Sequence, residues 1–432
     1  MDATSLPPVA LAPPVRPGGL GHSLRFPGFR NLFSSSAAST FGAAVSIVAV
    51  SWIVYHYTGS VLDVAYLGIV EIGPGIVLGL AAGVIADRYN RRSLMVTADL
   101  TRMGGMAILA VALYFLGFSL LLVFAVMIVV EAFSAIFTPA SQAILPRLVE
   151  KGSLEDANGL LYTSGGVARS LGSATGGVVV AVLGAVWGLG INAVTYGLSA
   201  VFILQIASEL GRIPARASAP RPSFRDDFSE GVRYVLGSRT LTEVSFGYLP
   251  TNFLSSFISP FFVVYASVRF GASPLAFGFL AAAFAIGAAT GGLLPGRLST
   301  RQHAGWWMGI TVLLEGAMYG VLAVSLNLTI CVLAAAGAGI EIGFGNTVYY
   351  SVMQASVPSR VLGRVLSFVD FGSFVAIPAG LVVGGLLIAH YGIGTMFSVA
   401  AIGIFGTGVV LLSLRDFRAF GASTLPELTP AR

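Results

Sequence analysis

The stretch "GVIADRYNRRS" (Gly83–Ser93) sits between two apolar runs of about twenty residues each. It places four charged residues, Asp87, Arg88, Arg91 and Arg92, within six positions. Elsewhere charge is sparse: charged residues are 10% of the 432-residue chain and hydrophobic residues 56%. A soluble domain carries about 25% charge, so this composition cannot cover a water-facing surface and places the chain in lipid.

Working outward from that stretch, twelve segments are long and apolar enough to cross a bilayer core, which takes about twenty residues of helix. The expected spans are 32–56, 64–86, 93–116, 119–139, 159–184, 188–207, 241–266, 274–296, 305–325, 328–353, 362–388 and 393–414. The segments are too long and too poorly alternating for transmembrane strands. With the N-terminus inside, 21 of the 24 basic residues fall in inner segments. Arg269 alone is outside, and Arg102 and Arg169 lie within spans. That bias fits an even span count with both termini cytoplasmic.

The chain therefore divides into an arm (1–30), a first six-helix bundle (31–207), a basic linker (208–240), a second bundle (241–414) and a tail (415–432). The arm is rich in Pro and Gly, lacks an apolar h-region, and reads as disordered rather than as a signal peptide. The second part of the linker reads as a short amphipathic helix at the membrane surface. Cys331 is the one cysteine, so no disulfide forms within the chain. Four scattered histidines make no metal constellation. There is no phosphate-cradling loop, and no cofactor or nucleic-acid partner is expected.

A repeat underlies the two halves. Shifted by 209 residues, "GVIADRYNRR" (83–92) lies over "GLLPGRLSTR" (292–301), with Gly83, Arg88 and Arg92 matched. Glu131 of span 4 falls one position from Glu341 of span 10. Paired six-helix halves are a transporter signature.

Positive-inside anchoring accounts for Arg88, Arg91 and Arg92 but not for Asp87. An acid at a helix end can bind the positive N-terminus of another helix and hold one conformation. Here the sequence resembles the major facilitator superfamily, whose signature loop between spans 2 and 3 reads Gly-x-x-x-Asp-Arg-x-Gly-Arg-Arg. Gly83, Asp87, Arg88, Arg91 and Arg92 match, and Asn90 replaces one glycine. The resemblance runs from about Phe29 to Asp416. It implies an all-α membrane fold of twelve helices in two pseudo-symmetric bundles, with Asp87 and Arg88 latching span 2 to the start of span 11. The second-half copy has Gly296 in place of the acid.

"ARSLGSATGG" (168–177) resembles the antiporter motif of that superfamily. Gly172, Gly176 and Gly177 match, and Arg169 lies one turn before Gly172. "FRNLFSSSAASTFG", "YHYTGS", "LPRLVEKGSLEDANGL" and "ADLTR" resemble the drug-efflux branch that includes macrolide and siderophore exporters. Many of those carry an acid after the "FG" of span 1, where this chain has Ala43, so the proton carrier is sought on other spans.

Charge within a span costs at least about 2.5–3.5 kcal/mol, so each instance needs a reason. Asp99 and Arg102, at i,i+3 near the inner end of span 3, read as an ion pair tied to the Asp87 loop. Glu131 has Arg102 or Arg169 as partner. Glu341, Glu315 and Asp370 have no basic residue on their own spans. These acids are the proton or substrate candidates, with Glu131 and Glu341 the best-matched pair. Glu71 is expected near the outer mouth. Four-residue glycine spacings (Gly75, Gly79 and Gly83; Gly172 and Gly176; Gly287 and Gly291; Gly380 and Gly384) mark close helix approach, either where the halves meet or as general packing. Tyr248, Phe257, Phe261, Phe262 and Tyr265 of span 7 either line a pocket or pack.

The expected function is export of a small amphipathic compound by proton antiport, from a monomer in the plasma membrane. The alternatives are a facilitator or importer of the same fold, and a transport-inactive scaffold or sensor. No nucleophile–base spacing indicates an enzyme.

Overall fold

The computed structural model describes residues 21–211, 224–295 and 303–421. It is helical throughout, with no strand among the described residues. Six long helices come first: α1 (Pro27–Thr58), α2 (Val61–Arg88), α3 (Arg91–Phe115), α4 (Leu120–Ile144), α5 (Leu154–Val182) and α6 (Ala185–Leu204). A shorter helix, α7 (Phe224–Leu236), lies in the linker. Span 7 is broken into α8 (Arg239–Gly247), α9 (Leu249–Ser255) and α10 (Phe262–Arg269). α11 (Pro274–Leu293), α12 (Ala304–Val324), α13 (Leu328–Ser356), α14 (Ser359–Tyr391), α15 (Ile393–Ser413) and the short α16 (Arg415–Arg418) complete the chain. Ten stretches among the described residues are long and apolar enough to cross a membrane. α5 and α14, of 29 and 33 residues, complete the twelve crossings.

The breaks in span 7 follow from its prolines. Pro250 and Pro260 each open a new helical turn, where a missing N–H costs nothing, but neither can continue a helix from the turn before. Five of the other helices among the described residues are capped by a side chain at their starts. Ser60, Asn90, Ser119, Ser273 and Asn327 accept backbone N–H groups at the starts of α2, α3, α4, α11 and α13. Each cap satisfies a donor that lipid cannot.

α1 packs on α5 and α6, α3 on α4 and α6, and α2 on α4, forming one bundle. α11 on α13, and α12 on α13 and α15, form the other. Polar pairs lock α1 to α6: Ser35 and Ser199 hydroxyls are 2.7 Å apart, and Asn192 Nδ2 donates to Ser46 Oγ at 2.7 Å. Such bonds average about 0.6 kcal/mol in membranes, so register rather than bulk stability is their main yield.

The bundles touch through α5 with α11 and through α2 with α14. A Cβ on Gly68 of α2 would lie 3.0 Å from Leu381 of α14, and one on Gly385 would lie 3.2 Å from Leu62. Gly75 and Gly79 follow Gly68 on the same helix face, two and three turns along. Added Cβ atoms there meet nothing within 4 Å. α2 and α14 therefore close together on the side away from the chain termini and diverge toward the terminus side. α5 and α11 stay in touch along both halves of their length, at Gly177–Gly278 and Gly166–Ala289.

The glycine stripes of α5, α11 and α14 follow the packing reading. Gly172 and Gly176 face Phe41 and Val45 of α1. Gly287 and Gly291 face α13, and Gly380 and Gly384 face Phe253 and Phe257 of span 7. These approaches lie within bundles, not between them. The span 7 aromatics are core: Phe257, Phe261, Phe262 and Tyr265 are at most 1% exposed, which excludes pocket lining for these four.

Candidate functional site

Of the signature-loop residues, Gly83 and the side chain of Asp87 lie outside the described residues, as does Asp370. Arg88 is exposed. Arg91 and Arg92 act on helix ends. Arg91 Nη1 donates to Ala143 O at 2.8 Å, at the end of α4. Arg92 donates from Nε to Ile203 O at 3.3 Å and from Nη2 to Leu204 O at 2.5 Å, at the end of α6. The orphan carbonyls and negative dipole end of each helix draw a guanidinium there. The loop thus ties α3 to α4 and α6 through its arginines.

Across the molecule, Arg364 near the start of α14 pairs with Glu230 of α7. A Cβ on Gly231 would sit 2.5 Å from Arg364 O, so α7 lies directly against α14. The linker helix is docked on the second bundle as well as amphipathic.

Asp99 and Arg102 form the expected ion pair, both nearly sealed from solvent. The expectation for their surroundings needs correction. They lie 8 and 11 residues into the 25-residue α3, so Arg102 is near mid-depth rather than at the inner end. Asp99 is held by Ser199 of α6 at 2.6 Å; whether the Asp87 side chain joins the pair lies outside the described residues. Arg102 is packed between the rings of Phe137 and Tyr196, 4.6 and 4.4 Å from their centroids. Its Nη1 lies 3.4 Å from Ser134 Oγ.

Glu131 of α4 has Arg102 as its basic electrostatic neighbour. Arg169 is exposed and makes no ion pair among the described residues. On α5 the α1-facing glycines (Gly172, Gly176) and the α11-facing glycines (Gly166, Gly177) flank it, while the exposed Leu171 and Val178 occupy the opposite face. Arg169 therefore stands at the gap between α1 and α11.

Glu71 is the residue that sequence reading misplaced. It lies ten residues from the start of α2, and Glu131 lies eleven from the start of α4; both helices begin on the same side. At 1.5 Å per residue both are about 15 Å deep, halfway through the core. Glu71 accordingly interacts with the Glu131 charge, and its Oε1 is buried without a hydrogen-bond partner. Equal residue counts from one membrane face were the available signal.

In the second bundle Glu315 of α12 is 4% exposed and accepts from Ser255 Oγ at 2.5 Å. Glu341 of α13 lies within electrostatic reach of Glu315. Each bundle thus carries two mid-depth carboxylates on neighbouring helices: Glu71 with Glu131, and Glu315 with Glu341. Among the described residues no group of His, Cys, Asp and Glu has metal-site geometry.

Comparison with known proteins places this arrangement. Residues 22–426 match the family model described as transmembrane secretion effector. The chain is 25% identical over 409 residues to macrolide efflux protein A of Streptococcus pyogenes, covering 90% of this chain and 96% of that one. It is 27% identical over 410 residues to the multidrug efflux pump Tap of Mycobacterium tuberculosis, covering 92% and 95%. Among solved structures, a peptide-bound transporter of the POT family superposes with a TM-score of 0.68 at 14% identity, over 89% of this chain and 95% of that one. A bacterial homologue of the lysosomal transporter Spinster gives 0.65 at 16%, over 94% and 99%. These two share the fold. The chain belongs to the transmembrane secretion effector family, in the drug-efflux branch of the major facilitator superfamily, and is a multi-pass membrane transporter rather than an enzyme.

Proposed function

We propose that this protein is a secondary active exporter of small amphipathic organic compounds, drugs or siderophore-like molecules. It works as a monomer by proton antiport with alternating access, in a cytoplasmic membrane with both termini inside. The arm, the two six-helix bundles, the basic linker and the tail are its working parts, divided as the sequence divides them. The observation that carries the reading is the divergence of α2 and α14. They are closed at Gly68–Leu381 and open at Gly75 and Gly79, and the carboxylates lie at mid-depth. Alternating access requires that the halves open on one side at a time and that ionisable groups at mid-depth can carry the coupling proton. The named efflux relatives support the direction of transport and the substrate class.

The test is uptake into inverted vesicles, using macrolides, lipophilic dyes and siderophores as the panel, with and without an imposed pH gradient. Gradient-dependent accumulation of at least one compound is expected. Transport that equilibrates each compound and never concentrates it would make the protein a facilitator.

A further inference from the structure

We infer that Arg169, on the inward face of α5, binds an anionic group of the transported compound, a carboxylate or a group of like charge. The protein then prefers acidic amphipathic compounds over cationic ones. This rests on the export reading above and deepens it by naming the charge of the substrate.

Asn158, Tyr162, Gly165 and Arg169 follow one another at i, i+4, i+7 and i+11 on α5 and share one helix face. The exposed Val167, Leu171 and Val178 occupy the opposite face, toward lipid. The stripe changes character along its length. Asn158, Tyr162 and Arg169 are exposed, and a Cβ on Gly165 would meet nothing within 4 Å. Farther along α5 the same face is buried at Ser173, Gly176 and Val180, with Gly176 set against Val45 of α1. The Tyr162 hydroxyl lies 3.7 Å from where a Cβ on Gly292 of α11 would sit. The stripe therefore looks across to the second bundle. It lines the space between the bundles on the terminus side, and Arg169 stands at the closed end of that space, next to the midpoint of Leu154–Val182.

Among the described residues Arg169 is the exposed charge at mid-depth. Asp99, Arg102 and Glu315 are buried. Glu71, Glu131 and Glu341 are half-buried, and one carboxylate oxygen each of Glu71 and Glu341 is sealed. Two structural accounts of Arg169 fail on position. A snorkelling arginine sits near a helix end and bends to the headgroups along lipid, whereas Arg169 is mid-helix and faces away from lipid. A positive-inside anchor sits in or beside an inner loop. What remains is a planar fork of donors that matches a carboxylate bidentately, in a space walled by apolar helices. Tyr162 lies two turns nearer the open end, about 10 Å from Arg169 along the axis. Its ring offers a flat wall to the apolar body of the same compound. A cationic compound would have to meet the carboxylates instead, and each described one is less exposed than Arg169.

The experiment compares two dyes with the same xanthene ring system and opposite charge, fluorescein and the rhodamine methyl ester cation. Binding to the protein in lipid nanodiscs is read by fluorescence anisotropy at neutral pH, alongside gradient-driven uptake into inverted vesicles. The parent should bind fluorescein more tightly than the rhodamine. Arg169→Gln should weaken fluorescein binding by about tenfold or more and leave rhodamine binding unchanged or improved. Arg169→Lys, which keeps the charge and loses the fork, should fall between the two. The ratio of the two dyes on one sample is independent of how much of a variant folds. Tighter rhodamine binding by the parent, fluorescein binding untouched by Arg169→Gln, or an equal loss for both dyes would each overturn the assignment. Should the charge preference hold without gradient-driven accumulation of fluorescein, the export reading fails for this probe while the anion site stands. Uphill fluorescein uptake retained in full by Arg169→Gln would sink the anion site and leave export intact.

Discussion

Gly177 of α5 and Gly278 of α11 lie back to back across the two bundles, so close that a Cβ on Gly177 would sit 2.7 Å from Gly278 Cα. No other side chain fits that crossing without moving a backbone. A Gly278→Val variant should therefore push the bundles apart on the side away from the termini. Overpacking of this kind costs about 1–3 kcal/mol, which changes a two-state population by roughly 5–150-fold. The variant should reach the membrane in normal amount, transport slowly, and show raised thiol accessibility near Val61 and Ile388. Transport at the parental rate would mean that this contact is not part of the closed state.

The signature loop should separate into two phenotypes. Arg92 caps the end of α6 with hydrogen bonds to Ile203 O and Leu204 O. Arg92→Ala should lower thermal stability by about 1–2 kcal/mol and spare the transport rate per folded molecule. Asp87→Asn should do the reverse, inserting and melting like the parent but transporting more slowly, because a latch acid weights one conformation. Equal melting and equal transport in Asp87→Asn would leave the acid without a latch role.

Asp99 and Arg102 should behave as structure. Removing one member of a buried pair costs about 3–5 kcal/mol, because the other charge is left uncompensated. Asp99→Asn should thus strip most of the protein from the membrane. Asp99→Asn combined with Arg102→Gln should recover part of it, while Ser199→Ala should cost less than either single change. Normal expression of Asp99→Asn with lost transport would instead assign the pair to the transport cycle.

These cases show what the sequence could carry. Bilayer thickness forces each crossing to a fixed apolar length, so the spans were readable to within several residues, as α13 (Leu328–Ser356) against 328–353 illustrates. The Asp99–Arg102 pair was readable because i,i+3 spacing is local. Ser199, one hundred residues away, was not. Glycine periodicity reports that backbones approach closely, but the partner is a tertiary fact. The spaced glycines of α5 face α1, and the one that meets α11 most closely, Gly177, follows Gly176 directly. The breaks in span 7 had a local signal in Pro250 and Pro260 that hydropathy alone averages away.

The N-terminal turn should respond to acid. Asp156, in the first turn of α5 ahead of its membrane-spanning part, accepts the backbone N–H groups of Gly21 at 3.0 Å and Ser23 at 2.8 Å. The Ser23 backbone hydrogen bond is the main reason its carboxyl is held below the usual carboxylate range. A depressed folded-state value means the contact is complete above the ordinary carboxylate pKa and is lost as pH falls through the lowered one. Protease cleavage near Gly21 should therefore be slow at neutral pH and rise on strong acidification. Asp156→Asn should show fast cleavage already at neutral pH. A cleavage rate identical in parent and variant across that range would detach Asp156 from the turn.

Orientation decides which compartment the open side faces. Twenty-one of 24 basic residues fall on the terminus side by sequence, and basic residues are retained in the cytoplasm. Leu326, between α12 and α13, is 69% exposed on the opposite side, and Tyr89, between α2 and α3, is 60% exposed on the terminus side. Cys331 is buried, so a Cys331→Ser background removes the native thiol with little change in volume. In intact cells a membrane-impermeant maleimide should label Leu326→Cys and leave Tyr89→Cys untouched until the membrane is permeabilised. Under that orientation the diverging ends of α2 and α14 open to the cytoplasm, where an exporter must collect its substrate. Labelling of Tyr89→Cys in intact cells, with Leu326→Cys protected, would turn the open side outward and convert the same geometry into the loading state of an importer.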